Sequence, residues 1–334
     1  MAIYVDGTVN FGGTAEGSPA GGDIWYDSGK FCFGTTLTFS GAWSSGSNLG
    51  TARHSLAGAG TQTAGLCMGG SSAITPYSEV TEEYNGTSWS AGGDLATPRR
   101  DLAGCGTQSA GLCMGGGQAG SSYSNVTEEY NGASWSSGGN IATAAFNLAA
   151  AGTQSAGLCM GGRGTGGVTN LNRTEEYNGS SWSSGGNLTY ARYKLAGCGT
   201  QTAGLCMGGY ATTGGYFPNR RTEEYNGASW SDGGDLGSPR DFLSGAGTLS
   251  AGVCMGGIDS SSNQASNVTE EYDGTSWSSG GNLVNARFEM GGAGTQSAGL
   301  SMGGYDSNYS YSNVTEEYHP GPGSYDELFT ATMV

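Results

Sequence analysis

The sequence predicts an all-β fold, a six-bladed β-propeller with four antiparallel strands per blade. Three observations predict it. Thr-Glu-Glu-Tyr starts at Thr81, Thr127, Thr174, Thr222, Thr269 and Thr315, a period of 46 to 48 residues. Ala-Gly-Leu-Cys-Met-Gly-Gly, or a close variant, ends at Gly70, Gly116, Gly162, Gly209, Gly257 and Gly304. In the first five units Asn/Asp-Gly and then Trp follow the Tyr at fixed spacing. Self-similarity at this period marks a solenoid, propeller or array, in which one repeat cannot bury its own apolar face. A closed ring of six such repeats is one domain of about the length of this 334-residue chain.

The elements follow in order. Residues 1–35 read as an N-terminal Gly-rich arm and short hairpin: residues 1–23 carry Gly, Ser, Ala, Thr and Pro19 without a period, and residues 24–33 form two β-prone runs around Ser28-Gly29. The propeller is assigned to residues 36–320 and a C-terminal tail to 321–334. Residues 36–49, with Trp43, resemble the second half of a repeat without its first half. From Thr51 the unit parses into four strands. The first, residues 56–60, is made of small residues suited to a crowded ring axis. The second, 64–70, follows a tight Thr-Gln-Thr turn. A variable loop leads to the third, 80–84, and the Asn85-Gly86 turn to a fourth around Trp89. The sixth repeat ends at Tyr318 and turns to His319-Pro320-Gly321-Pro322 with no Trp. The strand around Trp43 is therefore expected to pair beside Tyr318 and close the ring, leaving no open blade edge.

Composition narrows the function. Gly is 66 of 334, but among seven Trp and eighteen Tyr six of each stand at fixed repeat positions, where they read as packing residues and argue against a disordered chain. A formal charge of −16 repels phosphate backbones and anionic membrane surfaces, so neither nucleic acid nor membrane insertion is expected. The start, Met1-Ala2-Ile3-Tyr4-Val5-Asp6, has no basic segment before an apolar run, and no signal peptide is expected. Of eight Cys, five (Cys67, Cys113, Cys159, Cys206, Cys254) hold one repeat position, filled by Ser301 in the sixth copy. That reads as a small buried slot and free thiols. Cys105 with Cys113, and Cys198 with Cys206, are the pairs that a hairpin could bring face to face.

A Gly-Gly pair closing one strand, Glu-x-Tyr-(Asn/Asp) in the next, Trp five residues after the Tyr and an Arg before the following strand together resemble the Kelch repeat, which builds β-propellers. The resemblance covers residues 36–320. Ala145 departs from it, standing where other repeats have Arg53, Arg99, Arg192, Arg240 and Arg287, so any role of that Arg is expected to be dispensable there. The repeats and Gly22-Asp23-Ile24-Trp25-Tyr26-Asp27 also resemble virion proteins of tailed, particularly marine, bacteriophages, among them tail-fibre-like proteins. That likeness implies a virion component assembled in the host cytoplasm, with other virion proteins and a host surface glycan or protein as partners, in a homo-oligomer or larger assembly.

Site residues divide into repeated and variable. Glu82, Glu128, Glu175, Glu223, Glu270 and Glu316 open carboxylate pairs, but six copies around a ring cannot all be one active site. They read as structural, one Glu of each pair meeting the repeated Arg or backbone N–H groups between blades. Trp43, Trp89, Trp135, Trp182, Trp230 and Trp277 read as packing residues. His54 and His319 stand in different segments without a Cys or Asp cluster, so no metal, no cofactor and no Ser/His/Asp hydrolase are expected. Asp259 and Asp306 lack the alternating acidic pattern of a dedicated calcium site. The loops between Gly-Gly and Thr-Glu-Glu vary while everything around them repeats. Their Tyr77, Tyr123, Tyr210, Tyr216, Phe217, Tyr305, Tyr309 and Tyr311 are the candidate recognition residues, on the face shared with the blade connections. The expected function is a non-enzymatic structural or binding protein. The alternatives are a carbohydrate-active propeller enzyme such as a Kelch-type oxidase, or an intracellular Kelch scaffold.

Overall fold

A computed structural model describes residues 24–27, 30–33, 41–164, 169–211 and 217–319. The chain divides into two compact units, Met1–Gly41 with Pro320–Val334, and Ala42–His319. In the first, strands Ile24–Asp27 and Lys30–Phe33 form the hairpin expected around Ser28-Gly29, with Trp25 opposite Cys32. The Gly-rich arm before it and the C-terminal tail lie outside the described residues.

The second unit is all-β and propeller-like. Among the described residues it holds six four-stranded antiparallel sheets. Sheet one runs Ala57–Thr61, Ala64–Met68, Thr81–Tyr84 and Trp89–Ala91. The same meander recurs in sheets two to five. Sheet six takes Gly291–Thr295, Ala298–Met302 and Thr315–His319 from its own repeat and its fourth strand, Ala42–Ser45, from the other end of the unit. Trp43 pairs with Tyr318, the register expected from the missing last Trp. Its indole Nε1 donates to Thr269 Oγ1 at 2.9 Å, as Trp89 does to Thr315 and Trp135 to Thr81.

The core lies between sheets. Leu66, Met68 and Leu95 of the first repeat pack with Leu102, Cys113 and Tyr130 of the second, and five equivalent clusters recur around the sheets. Each fully buried Leu or Met contributes about 1.5–3 kcal/mol. The innermost strands crowd one another: a Cβ at Gly58 would sit 2.6 Å from the Gly292 carbonyl oxygen, which is why this strand is built from Gly and Ala.

Polar staples repeat at the same junctions. Gln108 donates to the carbonyls of Gly65 and Tyr84 in the preceding sheet, at 3.0 and 2.7 Å. Tyr130 Oη donates to Glu83 at 2.6 Å. Between sheets six and one, Gln62 donates to Gly299 and Tyr318, and Tyr84 to Glu317. The chain passes from the fourth strand of sheet six into sheet one as at the other junctions; its discontinuity lies within sheet six, between Thr315–His319 and Ala42–Ser45. The Asn-Gly turn between third and fourth strands spans four residues: Tyr84 pairs with Trp89, Gly86 takes φ 84°, and Asn85 Oδ1 accepts from the N–H groups of Thr87 and Ser88.

One backbone feature runs around the whole unit. Ser55, Asp101, Asn147, Lys194, Phe242 and Glu289 precede the six innermost strands, and all have φ between 52° and 58°. A left-handed conformation costs a non-Gly residue about 1–2 kcal/mol. Hydrogen bonds offset it: each residue's N–H donates to the carbonyl of its counterpart in the preceding repeat, at 2.8 to 3.1 Å, and Ser55 N–H donates to Glu289. The six bonds form a cycle.

Candidate functional site

The repeated residues form a buried lattice. Arg53, with no exposed surface, donates from Nη2 to Glu82 Oε1 at 2.8 Å and to Cys67 Sγ at 3.1 Å. Its Nη1 donates to the carbonyls of Gly69 and Val80, both at 2.7 Å. Glu82 Oε2 accepts the Gly50 N–H at 2.6 Å. Arg99, Arg192, Arg240 and Arg287 hold Glu128, Glu223, Glu270 and Glu316 in the same way. The slot occupied by Cys67 is therefore small, buried and an acceptor, which explains Ser301, whose Oγ accepts from Arg287 at 2.9 Å. Burial pushes the Cys67 and Cys113 thiols up to about 11. The seven cysteines of the second unit are free. Cys105 faces Leu112 across its hairpin while Cys113 faces Gly104, so the pairing that the spacing allowed does not arise.

The third repeat corrects one expectation. Its Ala145 does not make the Arg dispensable: Arg173, two residues before Glu175 on the same chain, enters the lattice from the other side. Its Nη1 donates to Glu175 Oε1 and its Nη2 to the Thr143 carbonyl at 2.7 Å. A guanidinium meets the glutamate in all six repeats, and the chain position that supplies it is not fixed.

At the end of the unit that carries the variable loops, the lattice opens into a mouth. Behind it a cavity of about 120 Å³ is lined by all six innermost strands. The mouth encloses about 350 Å³ between His54, Arg100, Asp101, Arg163, Lys194 and Glu289, with Phe146, Tyr193, Phe242 and Tyr305 among its walls. Ser55, Asp101, Asn147, Lys194, Phe242 and Glu289 have one backbone conformation and six different side chains. Glu289 accepts from His54 Nδ1 and from Ser55 Oγ, each at 2.6 Å. Burial first, and then Glu289, pushes the Asp101 carboxyl up to about 6, against Ser55, Arg100 and His54, which pull it down. Burial also raises Asp241 to about 6, opposed by the Lys194 ammonium 3.7 Å away. Lys194 Nζ lies 3.9 Å from the centre of the Phe242 ring, with the Tyr193 and Tyr210 rings beyond.

Several candidate recognition residues gather here. Tyr305 stacks on His54 with centroids 3.9 Å apart, and Tyr311 leans on both. Tyr123 stacks on Phe146 at 4.4 Å, and Tyr77 lies under the Arg100 guanidinium at 5.1 Å. Tyr210 meets Tyr193, and Tyr309, 61 % exposed, packs its edge on Phe288. Phe217 lies in a short strand, Phe217–Pro218, paired with Tyr210–Ala211. Tyr216 lies outside the described residues. Asp259 and Asp306 spend their carboxylates on their own turns, accepting from Ser261 and Ser262, and from Asn308 and Ser310.

The ring of residues preceding the innermost strands is the part that sequence reasoning passed over. Its signal was present: His54-Ser55, Arg100-Asp101, Phe146-Asn147, Tyr193-Lys194, Asp241-Phe242 and Phe288-Glu289 vary between near-identical flanks. His54, Ser55 and Glu289 bring hydrolase residue types together in the wrong geometry. A triad base takes the hydroxyl proton on one nitrogen and is held by the carboxylate through the other. Here Nδ1 faces both Ser55 Oγ, at 3.0 Å, and Glu289. We compared the sequence with models of known protein families and with curated proteins; neither comparison finds a match.

Proposed function

We propose that this chain is a six-bladed Kelch-like β-propeller, closed by the strand around Trp43, that serves as a non-enzymatic recognition and structural component of a tailed-bacteriophage particle. The cycle of six backbone hydrogen bonds and the identical staples between sheets six and one support the closed ring. The observation that carries recognition is the mouth. Six equivalent backbone positions, rigidly held, present six different side chains and are flanked by the aromatic loops. The phage assignment rests on the sequence resemblance, and so do its partners, other virion proteins and a host surface glycan or protein. Two measurements test the reading. Mass spectrometry of purified phage particles whose genome encodes the chain should find it at a fixed copy number. Adsorption of the purified protein to a panel of bacterial strains should be lost with Tyr305→Ala or Tyr123→Ala and kept with Gln108→Ala at the opposite end. Loss with Gln108→Ala alone would place recognition on the wrong face.

A further inference from the structure

We infer that the mouth is a binding site for an acidic sugar, a pyranose carrying a carboxylate, held through Arg163, Lys194 and Arg100. This deepens the recognition role proposed above and rests on it.

The distribution of basic residues comes first. The chain has twelve Lys and Arg. Arg53, Arg99, Arg173, Arg192, Arg240 and Arg287 are committed to buried glutamates, and Lys30 belongs to the other unit. The five that remain, Arg100, Arg163, Lys194, Arg220 and Arg221, all lie at the variable-loop end. In a chain of charge −16, cations placed at one end only, three of them around one cavity, are a selective feature.

Hydrogen-bond accounting gives the sign of the ligand. The mouth carboxylates are engaged: Glu289 accepts two bonds at 2.6 Å, and Asp101 is paired with Arg100. The cations are engaged loosely. Arg100 Nε stands 3.4 Å from Asp101, and Lys194 Nζ 3.7 Å from Asp241. Among the described residues Arg163 meets no carboxylate; its Nη1 reaches only the Tyr193 hydroxyl at 3.4 Å, and its buried Nε has no partner. Arg163, a guanidinium without an anionic partner between two loosely paired cations, favours an incoming carboxylate.

The walls give its class. The mouth, of about 350 Å³, is at the small end of the range for organic ligands. Phe146, Tyr193, Phe242 and Tyr305 line it; Tyr123, Lys194 and His54 already pack on Phe146, Phe242 and Tyr305, but aromatic walls of this kind are what the C–H faces of a pyranose pack against, and Ser55 and Asn147 stand beside them as partners for hydroxyls. Inorganic phosphate would use the cations and leave the rings idle.

The test titrates the full chain at low salt with glucuronate, galacturonate and N-acetylneuraminate, and with their methyl esters, glucose and inorganic phosphate as comparisons. Binding is read by ligand-observed NMR and calorimetry. At least one of the three acids should bind with a millimolar or tighter dissociation constant, and its ester about tenfold or more weaker. Lys194→Gln and Arg163→Gln should each weaken the acid at least about fivefold, with Gln108→Ala unchanged. The acid-against-ester comparison uses the unmodified chain, so it decides even if a variant fails to fold. Equal binding of acid and ester, binding of phosphate in place of the acids, or no binding of any acid overturns the inference. If adsorption to cells still depends on Tyr305 in that event, recognition stands and only the ligand class falls.

Discussion

The two ends of the propeller-like unit are built from the same repeats and used differently. At one end the Thr-Gln-Ser/Thr turns are near-copies because each Gln amide performs one task, donating to two carbonyls of the preceding sheet. At the other end the residues before the innermost strands also share one task in their backbone, the cycle of hydrogen bonds, but their side chains share nothing. The difference separates what a repeat must keep from what it can spend. Backbone geometry can be held by main-chain bonds alone, which frees the side chain at that position to vary.

The largest expected effects lie in the lattice between the two ends. Arg99→Ala should destabilise by about 3–5 kcal/mol, because it leaves the Glu128 carboxylate, 1 % exposed, without its cation. Arg173→Ala should cost about as much, by the same principle, although Arg173 occupies a different chain position. Ala145→Arg introduced together with Arg173→Val should restore most of the loss in denaturant unfolding. If Arg173→Ala leaves the midpoint unchanged, the third repeat tolerates an unpaired glutamate and the shared lattice is not a requirement.

Trp43→Ala should cost about 3–5 kcal/mol, as for a buried Trp elsewhere. Trp43 is 6 % exposed, packs on Tyr318 at 5.0 Å and bonds Thr269. Trp89→Ala, within a covalently continuous sheet, gives the comparison. A much smaller loss for Trp43 would mean that the strand it belongs to is an accessory of the sixth sheet.

Much of this was legible in the sequence, for physical reasons. Strand positions, the Trp43 pairing and the face carrying variable loops follow from a period that repeats backbone requirements. The roles of Gln62 and its copies were not legible, because a Gln in a tight turn looks solvated until the neighbouring carbonyls are in place. Arg173 escaped because its function is defined by a point in space that two chain positions can reach. The mouth was half visible: His54 stood out as variable, but the left-handed backbone at the next residue leaves no mark when Ser, Asp, Asn, Lys, Phe and Glu all adopt it.

A smaller effect should separate the mouth from the lattice by its pH dependence. Asp101 is raised to about 6 from the ordinary 3.8, in contact with Glu289, Arg100, His54 and Ser55. Above pH 6 the folded protein carries this charge at a cost that the unfolded chain does not bear. As pH falls through 6 the folded carboxyl takes up its proton first, and below 3.8 the cost is gone. Asp101→Asn should therefore stabilise the protein by on the order of 2 kcal/mol at pH 8 and by nearly nothing at pH 4. A gain of equal size at both pH values would show that sterics, not ionisation, set the effect.

The smallest effect tests the repeated end, and the chain already contains its control. The fifth repeat has Leu249 where the others have Gln62, Gln108, Gln154, Gln201 and Gln296, and Leu249 packs against the buried cluster between the fourth and fifth repeats. Gln108→Leu removes two hydrogen bonds to part-buried carbonyls that water can still reach, and adds an apolar contact of the kind seen at Leu249. The net loss should be about 1 kcal/mol, and Leu249→Gln should gain a similar amount. Because the junctions are separate, replacing all five glutamines by Leu should sum their costs, to about 5 kcal/mol in thermal or denaturant unfolding. A five-fold variant as stable as the parent would mean that the turn glutamines follow the repeat without holding it, and the contrast between the two ends would then lie in the mouth alone.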